Sequence, residues 1–283
     1  MNDRSGAVAD VFLDIRSNGD RWTMSEKTYI TMERRDRVGY VTLNRPDKLN
    51  AMPRKMYQEI SAGLQEFDAD DDVWVIVVRG AGERAFSAGA DLELLHGSLT
   101  SGPFEWKPFR PERFDMGLQV SKPVIAAVHG FCLAGGMELA MSCDIRIAAD
   151  NAVFAAPEVK WSVLHGFGAL VMPRSAPLGA VMELLMTGRR FDAEEAYRLG
   201  IVNRVVPVAD LQKTVDDLAD EICSNGPLAV RMTKEIVLRG RELPLNDGLR
   251  IYRELNKLIH LTEDSTEGAK AWAERRPARY AAR

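Results

Sequence analysis

Residues 73–78 read Val-Trp-Val-Ile-Val-Val, a run with no charged side chain. A strand with one wet face alternates polar and apolar residues. An unbroken apolar run of this length fits a strand covered on both faces, as in a parallel sheet packed between layers. Pro123 to Val128 and Asp144 to Ala148 read as further strands. Upstream, Met56, Ile60, Leu64 and Phe67 recur at helical spacing on one face. Tyr29–Met32 and Val38–Leu43 read as two strands around the charged turn Arg34-Arg35-Asp36-Arg37. Strands alternating with helices imply crossover connections and an α/β class.

The chain has 283 residues, enough for a substantial core, with 46% hydrophobic and 28% charged residues. A formal charge of −4 argues against a dedicated nucleic-acid binder, which carries a basic surplus. Cys132, Cys143 and Cys223 form an odd, widely spaced set, which favours reduced thiols over a disulfide framework. Residues 1–27 lack the apolar core of a signal peptide, and nothing downstream approaches a membrane span. A cytoplasmic protein with no membrane or nucleic-acid partner is expected.

Three regions follow from the pattern: a flexible extension over 1–27, an α/β core over 28–207, and a helical region over 208–283. Within the core, Gly, Ser, Pro and aromatic residues from His96 to Arg113 obey no period and read as a long loop. In the last region, Leu211, Val215, Leu218 and Ile222 form an amphipathic stripe. That stripe is expected to pack on the core or between subunits.

Two stretches carry chemistry. Phe-Ser-Ala-Gly-Ala-Asp (86–91) and Gly-Phe-Cys-Leu-Ala-Gly-Gly-Met-Glu-Leu-Ala (130–140) each follow an apolar run and are built from small residues. Small side chains leave backbone N–H groups unscreened, and a helix starting there presents unpaired donors at its positive end. Two donors from separate loops can hold one developing oxyanion, which points to chemistry on an acyl group. Glu138 follows one helical turn later inside an apolar run. A carboxylate so placed is costly unless paired or protonated, so its pKa is expected to rise. Glu158, after another apolar stretch, is a second candidate acid. Capping by Asp91 and close helix–sheet packing are the plainer explanations of the same turns.

Gly80-Ala81-Gly82-Glu83-Arg84-Ala85 mimics a dinucleotide fingerprint, but Phe86-Ser87-Ala88-Gly89 interrupts the helix that motif requires. The four histidines lack metal-ligand spacing, so no metal site is expected. His165, beside Gly166-Phe167-Gly168, is the one histidine placed to take part in chemistry.

From Tyr29 onward the chain resembles the crotonase, or enoyl-CoA hydratase/isomerase, superfamily. The resemblance rests on Val41–Met52 (VTLNRPDKLNAM), Ala85–Leu92 (AFSAGADL), Ser121–Gly130 (SKPVIAAVHG), the glycine turn with Glu138, Cys143–Ala148 (CDIRIA), Pro157–Lys160 (PEVK) and Thr262–Trp272 (TEDSTEGAKAW). It implies a spiral of repeated ββα units with a helical C-terminal region that forms trimers or hexamers. It also implies a coenzyme A thioester whose carbonyl lies between the amides of Ala88 and Gly135, and no separate cofactor. Arg45, Lys48, Leu49, Gly89, Ala90, Asp91, Leu92 and Gly136 match segments that line the substrate. Two glutamates flank the double bond in the hydratases, and Glu138 and Glu158 match both. The implied reaction is hydration of a 2-enoyl-CoA. One departure is the loop Trp161–Gly168, where His165 stands at the family's proline and Trp161 adds bulk beside the acyl pocket. It leaves open a double-bond isomerase, a decarboxylase, a thioester hydrolase, or a non-catalytic binding protein of the same fold.

Overall fold

A computed structural model describes residues 28–91 and 119–283. The expected extension over 1–27 and the loop over 96–113 lie outside them. The apolar runs form a six-stranded sheet in the order β1-β2-β3-β5-β7-β10. Its strands are β1 (Ile30–Arg35), β2 (Val38–Leu43), β3 (Val75–Gly80), β5 (Val124–Val128), β7 (Ile145–Ala149) and β10 (Arg204–Val206). The β1–β2 pair is an antiparallel hairpin, and every other pairing in this sheet is parallel. The hairpin turn is shorter than the sequence implies, because Arg34 and Arg35 stay paired with Gly39 and Val38.

A second sheet, β4-β6-β8-β9, is built from short strands: Ala85–Ser87, Phe131–Leu133, Val153–Ala155 and Phe191–Asp192. The chain passes from β3 to β4, β5 to β6 and β7 to β8 by tight connections, so each long strand feeds a short one. Helix Gly135–Ser142 then returns the chain from β6 to β7. This is the ββα spiral expected from the resemblance. The repeat lies in backbone path, which explains why no sequence repeat announces it.

Alternate residues of β3 serve two cores. Ile76 and Val78 pack with Met56, Ile60, Leu64 and Phe67 of helix Arg54–Ala69 and with Phe86 and Phe154 of the second sheet. Val75 and Val77 face the other way, with Val38, Ile125, Ile147, Leu211, Val215, Leu218 and Ala219. Helix Leu211–Cys223 therefore covers the outer face of the main sheet. The stripe considered for a subunit interface is buried within its own chain. Removing apolar faces from water on both sides of the sheet is what a continuous apolar strand requires.

Beyond it, helices Pro227–Gly240, Leu245–Ile259 and Glu263–Glu274 follow. They leave Leu245, Leu249, Tyr252, Leu258 and Trp272 exposed.

Candidate active site

The first glycine turn is held by a buried polar staple. Leu49 and Asn50 both adopt left-handed backbone (φ 52° and 53°), a conformation asparagine tolerates better than most residues. Asn50 is fully buried. Its Oδ1 accepts from the Arg45 amide at 2.9 Å, and its Nδ2 donates to the carbonyls of Ala81 (3.0 Å) and Ala85 (2.8 Å). Ser87 Oγ donates to the Asn50 carbonyl at 2.8 Å and accepts from Gly89 N–H at 3.1 Å. Sequence reasoning passed over Asn50 and Ser87. The available signal was a polar residue in the otherwise apolar Leu-Asn-Ala-Met stretch.

These contacts decide which amide of the turn is available. Ala88 N–H donates to the Leu49 carbonyl at 2.9 Å, Gly89 N–H is taken by Ser87, and Asp91 N–H donates to the Met52 carbonyl at 3.1 Å. Among the described residues, Ala90 N–H alone in this turn has no acceptor. The amide expected to be a free donor, that of Ala88, is thus bonded within the turn, while that of Ala90, expected to line the substrate, is not.

The second turn lies directly against the first. Gly89 has φ +91°, and a Cβ there would fall 2.7 Å from the Ala134 Cβ and 3.0 Å from the Gly135 nitrogen. A Cβ on Gly136 would meet the Ser87 carbonyl oxygen at 2.4 Å. Only glycine permits this approach. Helix Gly135–Ser142 starts here, so the Gly135 N–H lies in a first turn that has no intrahelical acceptor. Tyr57, buried on helix Arg54–Ala69, packs its hydroxyl beside Gly135, 2.5 Å from where a Cβ would stand.

The two acids reach the same loop. Glu138 is 8% exposed, and its Oε1 lies 3.5 Å from the Gly168 nitrogen. Glu158, on the 3₁₀ turn Pro157–Trp161, places Oε1 2.8 Å from Nδ1 of His165. Its Oε2 is buried with no hydrogen-bond partner among the described residues. The His165 side chain is 3% exposed, and its ring packs on Gly168, where a Cβ would stand 2.1 Å from Nε2. Gly168 therefore separates the imidazole bound to one acid from the carboxylate of the other. Gly166 and Gly168 were read only as neighbours of His165, since glycine spacing does not reveal which side chain fills the space it leaves.

Arg45 Nη1 binds Asp91 Oδ2 at 3.0 Å and the Ala51 carbonyl at 2.5 Å, with the guanidinium 5.2 Å above the Tyr29 ring. Both partners are largely buried, so Arg45 and Asp91 clamp the 45–52 segment to the glycine turn. Lys48 is exposed at the end of the 3₁₀ turn Pro46–Lys48, and Leu49 contributes its carbonyl to Ala88. Trp161 is 68% exposed. Leu92 lies outside the described residues. The Gly80–Ala85 segment opens no helix. It turns at Gly82 (φ +79°) into β4, so no dinucleotide site forms. Among the described residues, no group of three acidic, cysteine or histidine side chains is arranged to hold a metal ion.

The sequence profile of the Enoyl-CoA hydratase/isomerase family matches residues 33–283. A short-chain-enoyl-CoA hydratase of Clostridium acetobutylicum is 36% identical over 252 residues, covering 89% of this chain and 97% of the relative. A probable enoyl-CoA hydratase of Rhizobium meliloti is 40% identical over 264 residues, covering 91% and 99%. Among solved structures, the enoyl-CoA hydratase of Bacillus anthracis superposes with a TM-score of 0.83 at 33% identity, covering 90% of this chain and 100% of that one. That structure shares the arrangement of two sheets and C-terminal helices. With the profile spanning nearly the whole described chain, this protein belongs to the enoyl-CoA hydratase/isomerase, or crotonase, family.

Proposed function

We propose that the protein is an enoyl-CoA hydratase, adding water across the double bond of a 2-enoyl-CoA. The observation that carries this reading is the convergence of two carboxylates, buried Glu138 and half-buried Glu158, on the His165–Gly168 segment. In the proposed reaction the thioester oxygen lies between the amides of Ala90 and Gly135. Glu138 takes a proton from water as its oxygen bonds to the β-carbon. The electron pair of the double bond moves toward the thioester, giving an enolate whose oxygen the two amides hold. Glu158 then delivers a proton to the α-carbon. Each amide contributes most when charge develops, and losing one such donor typically costs about 10²–10³ in rate. Proton transfer by a positioned carboxylate contributes about 10²–10⁴. Coenzyme A arrives with the substrate, and the scheme needs no further cofactor.

The exposed apolar faces of the C-terminal helices support assembly into a trimer or hexamer as part of the same reading. The test of function is loss of the conjugated enoyl-thioester absorbance on adding protein, with the hydrated product identified. No loss across short, medium and aryl enoyl-CoA substrates would remove hydration. A Glu138→Gln protein equal to wild type in every thioester assay would point to a binding role.

A further inference from the structure

Buried His165 and half-buried Glu158 form a pair joined by one hydrogen bond. His165 Nδ1 lies 2.8 Å from Glu158 Oε1, whereas His165 Nε2 and Glu158 Oε2 are buried and have no hydrogen-bond partner among the described residues. The ring packs on Gly168, where a Cβ would stand 2.1 Å from Nε2. Nδ1 is the ring nitrogen within hydrogen-bond distance of Oε1, and a hydrogen on Nδ1 donates to that oxygen.

We infer that His165 is a positioning residue: it pins Oε1 of Glu158 and leaves Oε2 as the oxygen that exchanges the substrate's α-proton. The inference rests on the hydratase reading for the substrate, and on geometry for the role. In the protonation step the Oε2–H bond breaks and the α-carbon–H bond forms from the enolate electron pair. Glu158 is left as a carboxylate. Throughout, the Nδ1–H of His165 donates to Oε1, so the side chain needs no rotation between the two charge states. Because the ring rests on Gly168, whose nitrogen lies 3.5 Å from Glu138 Oε1, its position also bears on the other acid.

The experiment compares wild type with His165→Asn, which keeps an N–H near the Nδ1 position, and His165→Phe, which keeps bulk and loses the donor. Two readouts are used: α-proton exchange of butyryl-CoA in D₂O, followed by NMR, and kcat and KM for crotonyl-CoA hydration. His165→Phe is expected to lower exchange and kcat by ~10- to 100-fold with KM little changed, as for loss of a hydrogen bond to a charged group. His165→Asn is expected to recover most of both. Equal losses in the two variants, or no exchange by wild type, would overturn the inference. Wild-type exchange that follows this pattern without hydration would overturn the hydratase reading alone.

Gly168→Ala provides a second test, because its methyl collides with the ring. Its loss of exchange should be relieved when His165→Asn is added, since the smaller side chain leaves that space open. A Gly168→Ala protein with undiminished exchange, or a double variant no better than the single, would also overturn the role.

Discussion

The amide of Ala88 donates to the carbonyl of Leu49 at 2.9 Å, whereas the amide of Ala90, two residues along the turn, has no acceptor among the described residues. An amide already paired with a carbonyl must break that bond before it can receive a ligand oxygen. Ala90 faces no such cost. Replacing Ala90 with proline removes its N–H, and kcat for enoyl-CoA hydration should fall by about 10²–10³. Steady-state kinetics alongside a thermal unfolding curve checks this. A fully active Ala90→Pro protein would return the role to another amide.

Arg45 and Asp91 meet in a site where their side chains are 16% and 10% exposed. Removing one partner leaves the other charge buried, so Arg45→Met should destabilise the protein by about 3 kcal/mol. Urea titration reads this. If Arg45 instead served the nucleotide phosphates, the variant would keep wild-type stability, and its KM defect would vanish with a substrate lacking the 3′-phosphate.

Burial lowers the pKa of His129, with a backbone hydrogen bond to Gly82 offsetting part of the effect. The unfolded chain therefore binds this proton more readily than the folded one. Stability is full above the ordinary histidine pKa of about 6.5 and is lost as pH falls below it. A His129→Gln protein should lose less stability on acidification than wild type. Denaturant midpoints on either side of that pH measure the difference, and parallel curves would exclude His129 as a contributor.

Leu245, Leu249 and Tyr252 lie along one face of helix Leu245–Ile259 and are exposed in the single chain. A row of this kind is expected to be covered by another copy. Light scattering at micromolar concentration should show an oligomer for wild type and a smaller species for Leu249→Asp. A monomeric wild type would remove the assembly reading.

The α/β class was legible because β3 and helix Arg54–Ala69 carry strong, opposite periodicities, and each pattern fits one kind of burial. Both glycine turns and both acids were legible for a related reason: small residues and a carboxylate in apolar runs are locally conspicuous. The destination of the Leu211–Ile222 stripe was not. An amphipathic face records that something will cover it, and the tertiary structure chose the chain's own sheet.

By itself, the sequence determined which residues carry charge, which backbone positions must lack a Cβ, and which runs must leave water. These are properties of single residues and their near neighbours. Only the folded chain decided that Ala88 is spent on Leu49, that Arg45 is spent on Asp91, and that His165 lies between Glu158 and Gly168. A hydrogen bond depends on distance and direction between groups far apart in sequence, and no local pattern encodes either.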